Sequence, residues 1–344
     1  GGGGEGGKGG WTGREEGGKV RKRNLAPMTL ATKILAGVLL LVAGAMSAAF
    51  IAWRVPNQPV SALQTKWAPP PSQFVAVRGM QVHVRDEGRR DDPVPIVMLH
   101  GTGASLHTWD GWTEELGRER RVIRFDLPGF GLTGPSPDGV YSIESYVDTV
   151  LALADSLGVQ RFVLAGSSLG GYVAWVTAVL HPERVERLVL VDAAGYPFQS
   201  QSVPLAFRIA RTPILNVLMR DVLPRGVVER SLRDVYGDPT QVTPDLVDRY
   251  FDLATRAGNR AALVARFDQT KPGSLAERVP EIQVPTLILW GGKDRLIPLE
   301  FGERFARDIH GSRLVVFDAL GHVPHEEDPA HTVAAVLPFI QSEH

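Results

Sequence analysis

With 344 residues and a formal charge of −1, the chain is long enough for one large domain carrying an insertion, or for two domains. A balance this close to neutral, with an ordinary 44% share of hydrophobic residues, leaves no electrostatic footprint for a nucleic-acid partner. Cysteine is absent, which excludes disulfides, thiolate metal sites, a cysteine nucleophile and a lipidated N-terminal cysteine.

Residues 1–18 are mostly glycine with a few charges and cannot bury enough surface to fold. Met28 is the first methionine and the expected start, so residues 1–27 are set aside as upstream sequence, and 1–33 is expected to be a disordered, basic N-terminal segment. Residues 34–53, ILAGVLLLVAGAMSAAFIAW, carry no charge. As a helix this run spans about 30 Å, the thickness of a bilayer core. Lys19, Arg21, Lys22, Arg23 and Lys33 precede it and Arg54 follows it. The heavier basic flank is expected to stay in the cytoplasm, which sends the bulk of the chain outside it, into the periplasm or beyond the cell. The alternative is a cleaved signal segment and a secreted protein, because Ala43-Gly44-Ala45 has the small-x-small form of a cleavage site. The apolar run continues well past Ala45, which favours an uncleaved anchor. Residues 54–73 carry Pro56, Pro59 and Pro69-Pro70-Pro71 and read as a semi-extended spacer.

From residue 74 to 344 strand and helix patterns alternate. Residues 74–77 and 81–85, split at Arg78-Gly79, read as a hairpin of edge strands. Short strands follow at 95–99, 122–125, 162–165, 188–191, 286–290 and 314–317. Helices are expected near 109–118, at 142–157 with Ser142 as cap, after the 162–165 strand, and around 332–339. Such alternation predicts an α/β fold, a mostly parallel sheet with helices on both faces. Between about 195 and 280 the rhythm breaks into helix-like stretches at 205–209, 217–223 and 246–254. Inserted after a central strand, these read as a helical cap over the strand ends.

Candidate chemistry gathers at those ends. Phe162-Val163-Leu164-Ala165-Gly166-Ser167-Ser168-Leu169-Gly170-Gly171-Tyr172 is a strand, a sharp turn and a helix start. It places Ser168 on an elbow with Gly166 and Gly170 two residues to either side, where bulkier neighbours would collide. Ser167 lacks those glycines. A serine hydroxyl needs a base. Of nine histidines, His322 follows the last strand at its C-terminal end, the end where Ser168 also sits. His325 lies beyond Pro324 and is expected to point elsewhere; His83 sits on an edge strand, and His181, His310 and His331 read as surface positions. Asp294, just past the 286–290 strand, is the expected carboxylate for that base, with Asp192 as the alternative acid. The amides of Leu169 and of Thr102, in the loop His100-Gly101-Thr102-Gly103, are the expected oxyanion donors, with His100 holding the loop.

The order Ser168, Asp294, His322, the loop at His100-Gly101, the run Asp126-Leu127-Pro128-Gly129-Phe130-Gly131 and the stretch Trp290-Gly291-Gly292-Lys293-Asp294 together resemble the α/β-hydrolase superfamily. The likeness is to members with a cap inserted after the sixth strand. Haloalkane dehalogenases and epoxide hydrolases carry aspartate where Ser168 stands. Ring-fission C–C hydrolases keep serine but usually have a Gly-Pro-Gly oxyanion loop, whereas this chain has Gly101-Thr102-Gly103. Bacterial esterases and lipases are the nearest in style. The resemblance implies an α/β-hydrolase fold and a serine hydrolase acting on a small-molecule carboxylic ester, with C–C hydrolysis or a non-catalytic binding role as alternatives. It implies neither cofactor nor metal, and the membrane enters only through the N-terminal helix. Acyl chain, alcohol and oligomeric state stay open.

Two decoys are set aside. Gly129-Phe130-Gly131-Leu132-Thr133-Gly134 fits a dinucleotide fingerprint but runs into Pro135 rather than a helix. His322, His325 and Glu326 hint at a metal, but Pro324 breaks the helix that would align them.

Overall fold

The computed structural model describes residues 1–2, 10, 29–197, 200–213, 215–216, 220–271 and 273–341. The expectations for residues 3–9 and 11–28, including the start at Met28 and the basic flank, lie outside these. The described chain forms two units, Gly1–Ile51 and Ala52–His344.

The first unit holds most of the helix Leu30–Trp53, 24 residues with a mean hydropathy of 2.5, and its large apolar side chains, such as Leu40, Leu41 and Ile51, are exposed. Among the described residues it is the one helix long and apolar enough to cross a membrane, a test that anchors and signal segments both pass.

The second unit is built on an eight-stranded sheet, β1 Gln73–Val77, β2 Met80–Gly88, β3 Ile96–Leu99, β4 Arg121–Phe125, β5 Phe162–Ser167, β6 Val185–Val191, β7 Thr286–Gly291 and β8 Arg313–Phe317. Its order is β1-β2-β4-β3-β5-β6-β7-β8, antiparallel for β1, β2 and β4 and parallel from β3 and β4 onward. All eight strands fall where alternation placed them, within three residues. The central strands are buried on both faces, so they read as continuous apolar runs. Phe162 and Leu164 join one buried cluster while Val163 and Ala165 join the other, the period-two alternation of a strand between two helical layers. Arg78 and Gly79 both take positive φ, 50° and 77°, which makes the two-residue hairpin turn between β1 and β2. Ser142 Oγ accepts from Ser145 N at 3.2 Å and caps the helix Ile143–Ser156, as expected.

Two expectations are corrected. His83 is not on an edge strand: β1 covers β2, and His83 is fully buried with its Nδ1 donating to Asp126 Oδ2 at 2.7 Å. Residues 54–73 are not a free spacer either. They contain the helix Val60–Trp67, with Pro59 as its N-cap. Leu63 is buried with Leu132 and Leu253, and Lys66 Nζ and Trp67 Nε1 each donate to Asp252 at 3.0 Å. Gln58 N donates to Thr255 O and Ala257 N returns to Gln58 O, both at 2.8 Å. The prolines punctuate a short amphipathic helix in which Val60, Leu63 and Trp67 lie on one stripe; they do not extend a linker.

The insertion between β6 and β7 is helical, as expected, with helices Leu205–Arg211, Arg225–Val235, Pro244–Ala254 and Asn259–Gln269. The first and third were foreseen. Residues 217–219 of the expected 217–223 helix lie outside the described set, and Arg220 to Leu223 are not helical, Val222 instead bridging Arg54.

Candidate active site

The elbow is tightly constrained. Ser168 sits at φ 53°, ψ −113°, in a region a non-glycine residue rarely occupies, between the end of β5 and the helix Leu169–Leu180. Its N donates to Val191 O at 3.0 Å and its carbonyl accepts from Tyr172 N and Ala194 N, both at 3.0 Å, so the neighbouring strand and the helix hold the strain. A Cβ on Gly166 would lie 2.2 Å from Gly170 O, and one on Gly170 would lie 2.2 Å from Leu99 O. Both glycines are required because backbone approaches where a side chain would stand. Ser167 ends β5, buried, with no partner for its hydroxyl among the described residues.

His322 lies on the loop after β8, 4% exposed, and its Nδ1–H donates to Asp294 Oδ2 at 2.7 Å. Asp294 Oδ1 accepts from Leu296 N at 2.8 Å and Ile297 N at 3.0 Å, so the loop after β7 fixes the carboxylate in one rotamer. Asp192, the alternative acid, follows β6 at φ 43° and is fully buried. Its Oδ1 accepts from Gly291 N at 3.0 Å, and a carboxylate oxygen lies within 4.8 Å of its counterparts on Asp294 and His322. Burial, then the adjacent Asp294, holds the Asp192 carboxyl well above the ordinary range, which disfavours its charged form. The direct partner of His322 is Asp294.

Ser168 and His322 line one cavity of about 110 Å³, together with Gly101, Thr102 and apolar cap residues such as Phe207, Val228 and Leu232. The expectation that His325 points elsewhere is corrected, because it lines the same cavity. Its Nε2 meets Thr108 Oγ1 at 3.1 Å and its ring lies 4.1 Å from that of Trp109. Burial, with His322 and Arg249 beside it, pushes its pKa down to about 3, which leaves it a wall rather than a base. Leu169 lies at the N-terminus of the elbow helix, and Thr102 shares a second, smaller chamber with it and Ser168. His100 donates from Nδ1 to Gly101 O at 2.7 Å and accepts from Leu127 N at 2.9 Å, which holds that loop. Gly131 carries φ 50° against the Asp126 carboxylate, so the glycine run there serves to pack Asp126.

Sequence reasoning missed the contacts that tie the cap to this loop. His322 N donates to Val235 O at 2.8 Å, and Glu327 accepts from Gly237 N at 2.7 Å and Gly321 N at 2.9 Å. Arg249 and Tyr250 of the cap both donate to Glu326. A further cap residue, Arg266, donates from Nη1 to Thr102 Oγ1 at 2.9 Å.

Residues 94–329 match the family model described as the alpha/beta hydrolase fold. The chain belongs to the α/β-hydrolase family. Over 281 residues this α/β-hydrolase is 31% identical to the 2-hydroxy-6-oxo-2,4-heptadienoate hydrolase of Pseudomonas putida, covering 79% of this chain and 96% of that one. A solved membrane phospholipase A, described as a bacterial virulence factor, matches at TM-score 0.67 and 25% identity over 90% of this chain and 97% of its own. A thermophilic esterase from Thermogutta terrifontis matches at TM-score 0.65 and 27% identity over 78% of this chain and 97% of its own. The α/β-hydrolases similar to this one thus include hydrolases named for dienoates, phospholipids and esters.

Proposed function

We propose that the chain is a serine hydrolase that cleaves carboxylic esters through an acyl-enzyme. Ser168 Oγ attacks the carbonyl carbon while His322 Nε2 takes its proton, and the amides of Thr102 and Leu169 receive the oxyanion. His322 then returns the proton to the leaving alkoxide. Water, deprotonated by the same nitrogen, attacks the acyl group, releases the acid and restores Ser168. Asp294 keeps the Nδ1–H tautomer in place throughout. The observation that carries this reading is the pairing of a strained Ser168 with the His322–Asp294 hydrogen bond on one apolar-lined cavity.

The cavity is smaller than the roughly 150 Å³ that holds a benzene ring, which supports short to medium acyl chains. p-Nitrophenyl acetate and butyrate are expected to be turned over faster than the palmitate ester, with stoichiometric labelling of the wild type by a fluorophosphonate probe. Absence of both turnover and labelling would reduce the chain to a hydrolase-like binding protein.

A second reading, hydrolysis of a carbon–carbon bond in a ring-fission dienoate, is favoured by the relative at 31% identity and opposed by the Gly101-Thr102-Gly103 loop. Turnover of such a dienoate with none of any ester would select it.

We further propose that the helix Leu30–Trp53 anchors the enzyme, with the domain outside the cytoplasm. The full chain is then expected to sediment with membranes and to lose its domain to external protease. A soluble mature form beginning near Met46 would establish cleavage instead.

A further inference from the structure

Beside Ser168, on the side where Thr102 and Leu169 meet, lies a chamber of about 50 Å³ whose wall includes Arg266 and Arg211. Arg266 is 8% exposed on the cap helix Asn259–Gln269. One neutral hydroxyl, Thr102 Oγ1, accepts from its Nη1, and its Nε has no partner among the described residues. Burial lowers its pKa to about 10, with Arg211 adding to the effect, so the guanidinium remains charged at neutral pH. Arg211 reaches the same place from the helix Leu205–Arg211. The two guanidinium carbons stand 4.5 and 4.6 Å from the centre of the Phe267 ring, which packs against their faces and not their N–H edges. Among the described residues neither arginine is paired with a carboxylate, unlike Arg124, which has Glu87 and Asp110, and Arg249, which has Glu326; the buried Arg260 also lacks one but donates to Val55 O and Asn57 Oδ1.

A buried cation without a counter-charge is costly, and this one lines a chamber shared with Ser168, where a bound ligand would meet it. We propose that Arg266 and Arg211 form a subsite for a carboxylate carried by the substrate, so that the preferred esters are those of acids or alcohols bearing a second, free carboxyl group. A guanidinium fork matches a carboxylate in two parallel hydrogen bonds. The chamber is small, at about 50 Å³, which favours a compact carboxylate over a larger anion. The Thr102 hydroxyl, held by the same guanidinium, couples occupancy of the subsite to the oxyanion loop. The inference rests on the ester-hydrolase reading above and names its substrate class.

Two ester pairs test it, one with the extra carboxylate on the acyl side and one on the alcohol side. The first is mono-p-nitrophenyl glutarate against its methyl-capped neutral form. The second is 4-(butyryloxy)benzoate against its methyl ester. In at least one pair the wild type should favour the anion by about tenfold or more in kcat/KM, the scale of a charge-assisted hydrogen bond. Arg266→Gln and, separately, Arg211→Ala should bring that ratio toward one. A ratio of two substrates on one sample does not depend on the fraction folded, and Arg211 lies at the surface, so misfolding cannot imitate the result. Ratios near one in the wild type, or ratios that neither substitution moves, overturn the subsite while leaving ester hydrolysis standing. If no ester is turned over, the ester reading fails separately, and glutarate binding followed by thermal melting then decides the subsite. Stabilisation lost in Arg266→Gln supports it, and stabilisation equal in both proteins, or none, refutes it. Arg266-dependent stabilisation by butyrate without any anionic preference would assign the pair to the product acid and overturn the substrate claim.

Discussion

Asp294→Asn should leave the fold intact and cut ester turnover by about four orders of magnitude, the scale seen when a triad histidine is locked in the wrong tautomer. The amide would present an N–H or an oxygen to His322 Nδ1, and the hydrogen bond at 2.7 Å survives most easily if Nδ1 becomes the acceptor. Nε2 then carries the proton and cannot take another from Ser168. Asp192→Asn should cost far less, within about tenfold, because His322 Nδ1 donates to Asp294 and not to Asp192, whose charged form burial disfavours, and an amide replaces the carboxyl with similar shape. The two carboxyl groups lie close together, so the pair is a direct comparison of position against charge. A larger loss at Asp192 than at Asp294, measured as kcat on p-nitrophenyl butyrate, would transfer the acid's role to Asp192.

Ser168→Ala should lower kcat by about six orders of magnitude, as removing the nucleophile of a cooperating set does, and should abolish fluorophosphonate labelling. The loss is expected in kcat with KM little changed, since the apolar wall of Phe207, Val228 and Leu232 is untouched. Ser167 offers no rescue. It lies at the end of β5 rather than on the elbow, with its hydroxyl buried.

The strands were legible because central parallel strands are buried on both faces, and runs such as Val163-Leu164-Ala165 admit few other readings. The elbow was legible for a related reason: Gly166 and Gly170 answer to local backbone crowding, which a short stretch of sequence encodes. The juxtaposition of Asp294 and His322 followed from the rule that loops at the C-terminal strand ends meet. What escaped was long-range packing against irregular elements. Nothing local says that Arg266 crosses 164 residues to reach Thr102, or that Glu327 ties Gly237 to Gly321. The helix Arg225–Val235 was overlooked because its apolar positions are sparse and interleaved with arginines. The segment before β1 misled because prolines mark helix ends as readily as linkers, and Leu63 alone in a polar run carries little signal until Leu132 and Leu253 are seen beside it.

The central claim, a covalent acyl group on Ser168, can be read directly. Acid quench of the enzyme during turnover of p-nitrophenyl butyrate, followed by intact-mass and peptide mass spectrometry, should show one butyryl increment. That increment should fall on the peptide containing Ser168 and be missing from Ser168→Ala. Rapid ester turnover with no adduct, or an adduct on any other residue, would contradict the account.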